Sequence, residues 1–282
     1  MVLYYQEYIN EKQSSAIPYF GSKYRLMDSL KKHLPKKINT LYDLFTGSVT
    51  FSINVKAKKK VANDIDKDLI NLYNLIKVLH NDELVDRVLK IVEDYSLDTV
   101  NKESYKKLIV SFNQDKDPIK FYVLVMTSFR NMISKNQKGD FTQTYSLKPF
   151  NKKFRIPKLL SFKKDIQKIK FTNKDFQKVS KAYRKDDFVY VDPPYLITKA
   201  SYNKGWTVGS ENKLYSYLDM LNSNGVKFML SNVIGHSGLI NNSLVDWSSK
   251  YKIIDLNFKY NLNLRKDVLR QYETKEVLIV NY

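Results

Sequence analysis

The stretch Asp187-Phe188-Val189-Tyr190-Val191-Asp192-Pro193-Pro194-Tyr195 holds the residue types in this chain best suited to chemistry. Four mostly apolar residues run into a carboxylate, two prolines and an aromatic ring. A short apolar run bounded by proline reads as a buried strand that stops at Asp192. Neither proline has an N–H to donate to a sheet ladder, and each biases the residue before it toward extended geometry. The consequence is a stiff loop at the carboxyl end of a strand, which holds the Asp192 carboxylate, the Pro193 carbonyl and the Tyr195 ring close together. In open α/β sheets that edge is where ligands bind. Asp-Pro alone often opens an ordinary turn; four such residues in order, directly after an apolar strand, favour a site.

Asp192-Pro193-Pro194-Tyr195 resembles the motif of amino-group methyltransferases. The chemistry this implies accounts for the residue types. The exocyclic amine of adenine is a poor nucleophile, because its lone pair is delocalised into the ring. The Asp192 side chain and the Pro193 carbonyl would accept its two N–H groups and draw the nitrogen toward tetrahedral geometry, with Tyr195 stacked on the base. The methyl donor would be S-adenosylmethionine, leaving S-adenosylhomocysteine. Positioning and electrostatic stabilisation suffice, so the carboxylate need not remove a proton first.

The surrounding pattern predicts an alternating strand–helix chain. After Gly21-Ser22-Lys23 the apolar residues Leu26, Met27, Leu30 and Leu34 form a helical stripe that Pro35 ends. The Gly-Ser-Lys turn lacks the spacing of a phosphate-binding loop. Leu41–Phe45 reads as a strand, followed by the turn residue Gly47 and a short apolar helix from Val49 to Val55. Residues 60–66 form a second strand ending in acid. An acidic residue about twenty positions beyond a glycine turn is what a ribose-binding unit uses, although Asp64 or Asp66 would serve equally as a helix N-cap. A helix follows with Leu69, Tyr73, Ile76 and Leu79.

From about residue 80 three amphipathic helices succeed one another without a strand: Leu84–Val92, Tyr105–Phe112 and a third from Pro118 to Phe129. This breaks the alternation and predicts an inserted helical subdomain over 80–168, with 1–79 and 169–282 as the catalytic domain. The stretch 130–145 is polar, aromatic and basic, with base-edge and phosphate-contact residue types, and Gln137-Lys138-Gly139-Asp140 reads as a hairpin turn. Ile169–Thr172 is the next predicted strand. Residues 196–206 read as a flap over the site. A helix from Ser210 stops at Asn224-Gly225, a strand spans Val226–Ser231, and a helix lies near Leu239–Trp247. Lys252–Phe258 and Lys275–Asn281 are expected to pair as a closing unit, and residues 1–16 to form a loosely held arm.

Composition narrows the function. With 48 Lys plus Arg against 29 Asp plus Glu, the net charge is +19. A lysine-rich compositional bias accounts for part of this; the excess still points to a polyanionic partner, nucleic acid ahead of a membrane surface. The chain has no cysteine, which excludes disulfides, thiolate metal sites and cysteine nucleophiles. Its three histidines, His33, His80 and His236, are scattered, so no metal site is expected. No membrane span or signal peptide is apparent, and a cytoplasmic location is expected. At 43% hydrophobic residues over 282 positions, the chain can build one large domain with an insertion.

Together these segments resemble the Dam-type DNA adenine-N6 methyltransferases, nearest the short phage-encoded members, from about residue 17 onward. The resemblance implies a Rossmann-like α/β fold with a seven-stranded, mostly parallel sheet whose last strand is reversed, carrying the helical and hairpin insertion for target recognition. It implies that Tyr19, Lys23, Phe45, Gly47, Asp64, Asp175, Phe176 and Asp192 bind S-adenosylmethionine. Asp192, Pro193, Pro194 and Tyr195 would form the catalytic hinge for a base flipped out of double-stranded DNA. DNA contacts are expected from Arg130, Asn131, Met132, Ser134, Lys135, Asn136, Lys138, Thr144, Lys148 and Tyr202. A GATC-like site is the candidate recognition sequence, in a monomer or weak dimer with a restriction nuclease as candidate partner.

Two departures stand out. The family's Phe-x-Gly-x-Gly or Phe-x-Gly-Gly turn is here Phe45-Thr46-Gly47-Ser48-Val49. Lys148 stands where members reading GATC place an arginine, and it lacks that residue's rigid fork. Ser134 likewise occupies a position where basic residues occur. The alternatives are a methyltransferase acting on RNA or on cytosine N4, and a non-catalytic DNA-binding subunit with a degenerate donor pocket.

Overall fold

The computed structural model describes residues 12–19, 21–180, 182–198, 205–256 and 274–282. Its centre is a twisted sheet built from β1 (Thr40–Asp43), β2 (Lys59–Asn63), β3 (Ile169–Thr172), β4 (Phe188–Val191), β5 (Lys227–His236), β6 (Leu239–Ile240), β7 (Lys252–Asp255) and β8 (Thr274–Val280). Seven strands follow the order β3-β2-β1-β4-β5-β8-β7, and the two-residue β6 hangs on the end of β5. β3, β2, β1, β4 and β5 run parallel, whereas β8 lies antiparallel between β5 and β7. The reversed last strand and the parallel body are those expected of the family.

The order of these strands decides where a ligand can sit. From β1 the chain moves outward to β2 and β3, then returns to the other side of β1 as β4. The reversal leaves a crevice beyond the carboxyl ends of β1 and β4, the switch point at which open α/β sheets bind ligands. β4 reads as a continuous apolar run because all four of its residues are buried between helical layers. On one side Tyr190 stacks on Phe51 of α2 (Thr50–Asn54), with ring centroids 3.5 Å apart. On the other, β4 shares a core with α8 (Val208–Ser223) through Val189 and Val191.

Between β2 and β3 come five helices: α3 (Lys67–Val78), α4 (Asn81–Asp94), α5 (Lys102–Asp115), α6 (Pro118–Thr127) and α7 (Lys152–Asp165). α6 is almost wholly buried and is opened by Asp117, whose carboxylate accepts from the Ile119 and Lys120 N–H groups, with Pro118 at the first helical position. It is the hub on which α3, α4 and α5 pack.

Several expectations need correction. The third predicted helix stops at Thr127, because Arg130 and Asn131 both take left-handed backbone angles (φ 56° and 51°) and turn the chain. α7 was not anticipated; its lysine-rich sequence contains Pro157 and buries only Leu159 and Phe162, so it carries little helical signature. Leu239 belongs to a strand rather than a helix: Ser237 and Gly238, both at positive φ, make a two-residue hairpin turn back from β5. The helix there, α9 (Asn242–Ser248), starts only after the Asn241 cap. The described part of the N-terminal arm is held: Ser15 and Ala16 are buried, and Gln13 N–H donates to Asn54 at 2.8 Å. Residues 199–204 of the expected flap, and with them Tyr202, lie outside the described residues.

The altered glycine turn has a definite backbone consequence. Val49 adopts φ 64°, the left-handed region that a glycine there would enter freely, and its side chain is fully buried in the core. Left-handed backbone costs a β-branched residue about 1–2 kcal/mol, while burial of its side chain contributes about 1.5–3 kcal/mol. Burial wins, so Val49→Gly is expected to lower stability by about 1 kcal/mol in urea unfolding, after relief of the strain. A more stable variant would show that the strain dominates.

Candidate active site

The loop after β4 closes over its own carboxylate. Asp192 Oδ2 lies 2.8 Å from Lys23 Nζ, and the Tyr195 hydroxyl donates to Asp192 Oδ1 at 2.8 Å. Lys23 is buried at the start of a 3-10 turn (Lys23–Leu26) that precedes α1 (Met27–Lys31). Its ammonium also donates to the Gly21 carbonyl at 3.1 Å and sits 5.1 Å from the Tyr195 ring centroid. Burial raises the Asp192 carboxyl above the usual carboxylate range, and the Lys23 charge opposes that rise. Burial likewise drives the Tyr195 hydroxyl far up, so it is a proton donor at any ordinary pH.

A residue not anticipated from sequence completes this cluster. Glu276, on β8, has its Oε1 3.0 Å from the Tyr195 hydroxyl and 3.4 Å from Lys23 Nζ. Its only sequence signal is one acid within the apolar run of β8, too weak to single it out.

Beyond β1 the turn is fixed from both sides. Gly47 N–H donates to Asp64 Oδ2 at 2.9 Å, and the Gly47 carbonyl accepts from Tyr73 at 2.6 Å. Gly47 is at φ 44°, and a Cβ there would lie 3.0 Å from the Tyr19 ring, so only glycine suits both the angle and the space. The other Asp64 oxygen accepts from Asp66 N–H at 2.9 Å. Burial raises the Asp64 carboxyl to about 6, against the pull of these two N–H groups. Asp43, at the end of β1, is a second residue sequence reasoning passed over. One of its oxygens accepts from Thr46 and Ser52; the other is buried and has no hydrogen-bond partner among the described residues. Burial lifts its carboxyl to about 7.

Phe45 and Phe176 meet with centroids 5.6 Å apart, and Trp206 packs edge-on against Phe45 at 5.7 Å. Asp175 caps the short turn that begins at Phe176. All eight residues expected around the donor, together with Pro193, Pro194 and Tyr195, line one cleft of about 1300 Å³. The hinge therefore sits beside Gly47 and Lys23, with an open cavity next to its tyrosine.

The expected DNA contacts divide into two groups. Asn131, Met132, Ser134, Lys135 and Asn136 line the far lip of the same cleft. Asn131 is structural as well: its side-chain amide donates to the Val125 and Met126 carbonyls at the end of α6. Lys135 is paired with Asp66 at 2.5 Å and Asp68 at 2.7 Å, tying the hairpin to the loop after β2. The hairpin turn forms as expected, with Gly139 at φ 83° and Asn136 N–H bonded to the Asp140 carbonyl. Arg130, Lys138, Thr144 and Lys148 stand exposed outside the cleft lining. Among the described residues no cluster of three or more metal-ligating side chains occurs, and no helix is long and apolar enough to cross a membrane.

Comparison with known proteins agrees with this arrangement. Residues 19–262 match the family model of the D12 class N6 adenine-specific DNA methyltransferases. The Type II methyltransferase M.FokI of Planomicrobium okeanokoites is 34% identical, over 97% of this chain and 43% of that protein. The modification methylase StsI of Streptococcus sanguinis is 31% identical, over 95% of this chain and 43% of its own length. A DNA adenine methylase of Salmonella typhi is 26% identical, over 79% and 81% of the two chains. The chain thus spans less than half the length of the first two of these proteins. With the family model covering most of its residues, this chain belongs to the D12 class of N6 adenine-specific DNA methyltransferases.

Proposed function

We propose that the chain transfers a methyl group from S-adenosylmethionine to the N6 amine of an adenine flipped out of double-stranded DNA. The observation that carries this reading is the hinge Asp192–Tyr195 beside the Gly47–Asp64 turn, in one cleft at the sheet's switch point.

The residues present fit the donor. Asp64 keeps lone pairs on both oxygens after its two N–H bonds and would accept from the ribose hydroxyls. Phe45 and Phe176 offer apolar faces for a purine. The orphaned Asp43 oxygen, buried in the same lining, would serve a cationic or N–H group. S-adenosylmethionine, when bound, supplies an electrophilic methyl on a sulfonium. The protein's part is to orient the amine: Asp192 and the Pro193 carbonyl take its two N–H groups, so that the lone pair is freed from the ring and aimed into the donor pocket. Tyr195 covers the face of the base. The surplus proton leaves the nitrogen after transfer.

The segment 80–168, with its helices and the hairpin around Gly139, is read as the target-recognition insertion on the catalytic domain formed by 1–79 and 169–282. The whole chain's net charge of +19 favours attraction to DNA phosphates. Lys148 is placed on the guanine of a GATC-like site, with Arg130, Lys138 and Thr144 around it. The chain is expected to act as a monomer or weak dimer, in the cytoplasm, without a metal. Two similar proteins are named as a Type II methyltransferase and a modification methylase, which supports a partner restriction nuclease.

Three outcomes test this reading. Asp192→Ala is expected to cut methyl transfer by about three orders of magnitude or more. Gel-shift affinity for duplex DNA should stay nearly unchanged, since Lys23 keeps Glu276 as a partner; full activity would refute the assignment. Lys148→Ala should relax recognition at one base pair by about 1–3 kcal/mol of discrimination, read by sequencing modified adenines; an unchanged profile would count against its role. Because only the ionised Asp64 accepts fully, donor affinity should fall as pH drops through about 6. Calorimetry should find it at least about tenfold weaker at pH 5 than at pH 7.5, and Asp64→Asn should remove the part of the profile centred near 6.

A further inference from the structure

The geometry of the hinge poses a problem for the reaction proposed for it. Both Asp192 oxygens are engaged, one by Lys23 and one by the Tyr195 hydroxyl. A target amine reaching Asp192 must compete with the tyrosine for the same oxygen. Tyr195 has a single hydroxyl proton, and a second carboxylate stands within reach of it. Glu276 Oε1 lies 3.0 Å from that hydroxyl, against 2.8 Å for Asp192 Oδ1. The hydroxyl can pass from one acceptor to the other by rotation of its proton alone, without movement of the ring.

Resting on the methyl-transfer reading above, we propose that Glu276 is a positioning residue of this site: it accepts the Tyr195 hydroxyl when the target amine arrives, and so releases Asp192 to the amine while keeping the tyrosine ring in place. The backbone suits the task. Glu276 sits on β8 between β5 and β7, opposite Val233, where the β5–β8 register shifts at a bulge. Its side chain is 92% buried, because only 8% remains exposed, so its direction is set by packing rather than by solvent.

Single-turnover methyl transfer to unmethylated plasmid DNA from labelled S-adenosylmethionine, with thermal melting alongside, tests this in four proteins: wild type, Glu276→Leu, Tyr195→Phe and the double variant. Glu276→Leu removes the acceptor and is expected to slow transfer by about 10- to 100-fold with the donor and DNA concentration dependences nearly unchanged. In the Tyr195→Phe background, where there is no hydroxyl to accept, the same change should cost at least about fivefold less. A residue that merely supports the strand would lose the same factor in both backgrounds, and that result overturns the proposal. So does Glu276→Leu transfer within twofold of wild type. If Glu276→Leu does not fold, Glu276→Asp draws the carboxylate back from the hydroxyl, and is compared in the same two backgrounds with the same expectations. A wild type that transfers no methyl group overturns the methyl-transfer reading itself, and this role with it.

Discussion

The buried ion pair between Lys23 and Asp192 is the constraint on which the rest of the site depends. An ammonium removed from water without a partner costs several kcal/mol, and loss of one partner from a buried pair typically destabilises by about 3–5 kcal/mol. Lys23 comes from the segment before the first strand, Asp192 from the loop after β4 and Glu276 from the closing strand β8. The three meet within 3.4 Å. The cluster of three therefore ties the segment before β1 and the closing strand β8 to the middle of the sheet, and the hinge cannot drift without taking the Asp192 carboxylate from its buried partner.

The two prolines act on the same loop from within. They remove two N–H donors and stiffen the backbone, so that Asp192 and the Pro193 carbonyl are presented together. Burial disfavours the charged form of the carboxylate, Lys23 opposes that effect, and the tyrosine hydroxyl marks the oxygen a substrate amine would claim. Across the cleft, Asp64 does two jobs by the same logic. It pins the Gly47 turn through a backbone N–H and keeps lone pairs for a ligand. The strand order puts these two turns side by side, because β1 and β4 are neighbours although their paired residues, such as Leu41 and Phe188, lie 147 positions apart in sequence.

Much of this was legible in the sequence, where residue type and position forced one geometry. The apolar run ending in Asp192-Pro193-Pro194 could only be a buried strand and a rigid loop. Gly47 announced the turn that its φ of 44° requires. What escaped was whatever depends on three-dimensional neighbours. Glu276 is one acid in an apolar strand until β8 inserts between β5 and β7 and carries it to Tyr195. Lys135 reads in sequence only as an expected DNA contact on a polar, basic stretch; its pairing with Asp66 and Asp68 depends on the fold. α7 escaped because a proline and six basic residues mask its helical face. Val49 shows the limit of motif reading: a residue without glycine's freedom takes glycine's backbone angle, because core burial offsets the strain.

The central claim is that a carboxylate on a rigid hinge orients the amine of an extruded adenine. Its most direct measurement is base-resolved mapping of methyl groups after the purified chain has acted, with S-adenosylmethionine, on mixed duplex DNA and RNA. The account predicts N6-methyladenine in duplex DNA at one recurrent sequence. Methyl groups on cytosine N4 or on RNA, or none on any nucleic acid, would contradict it.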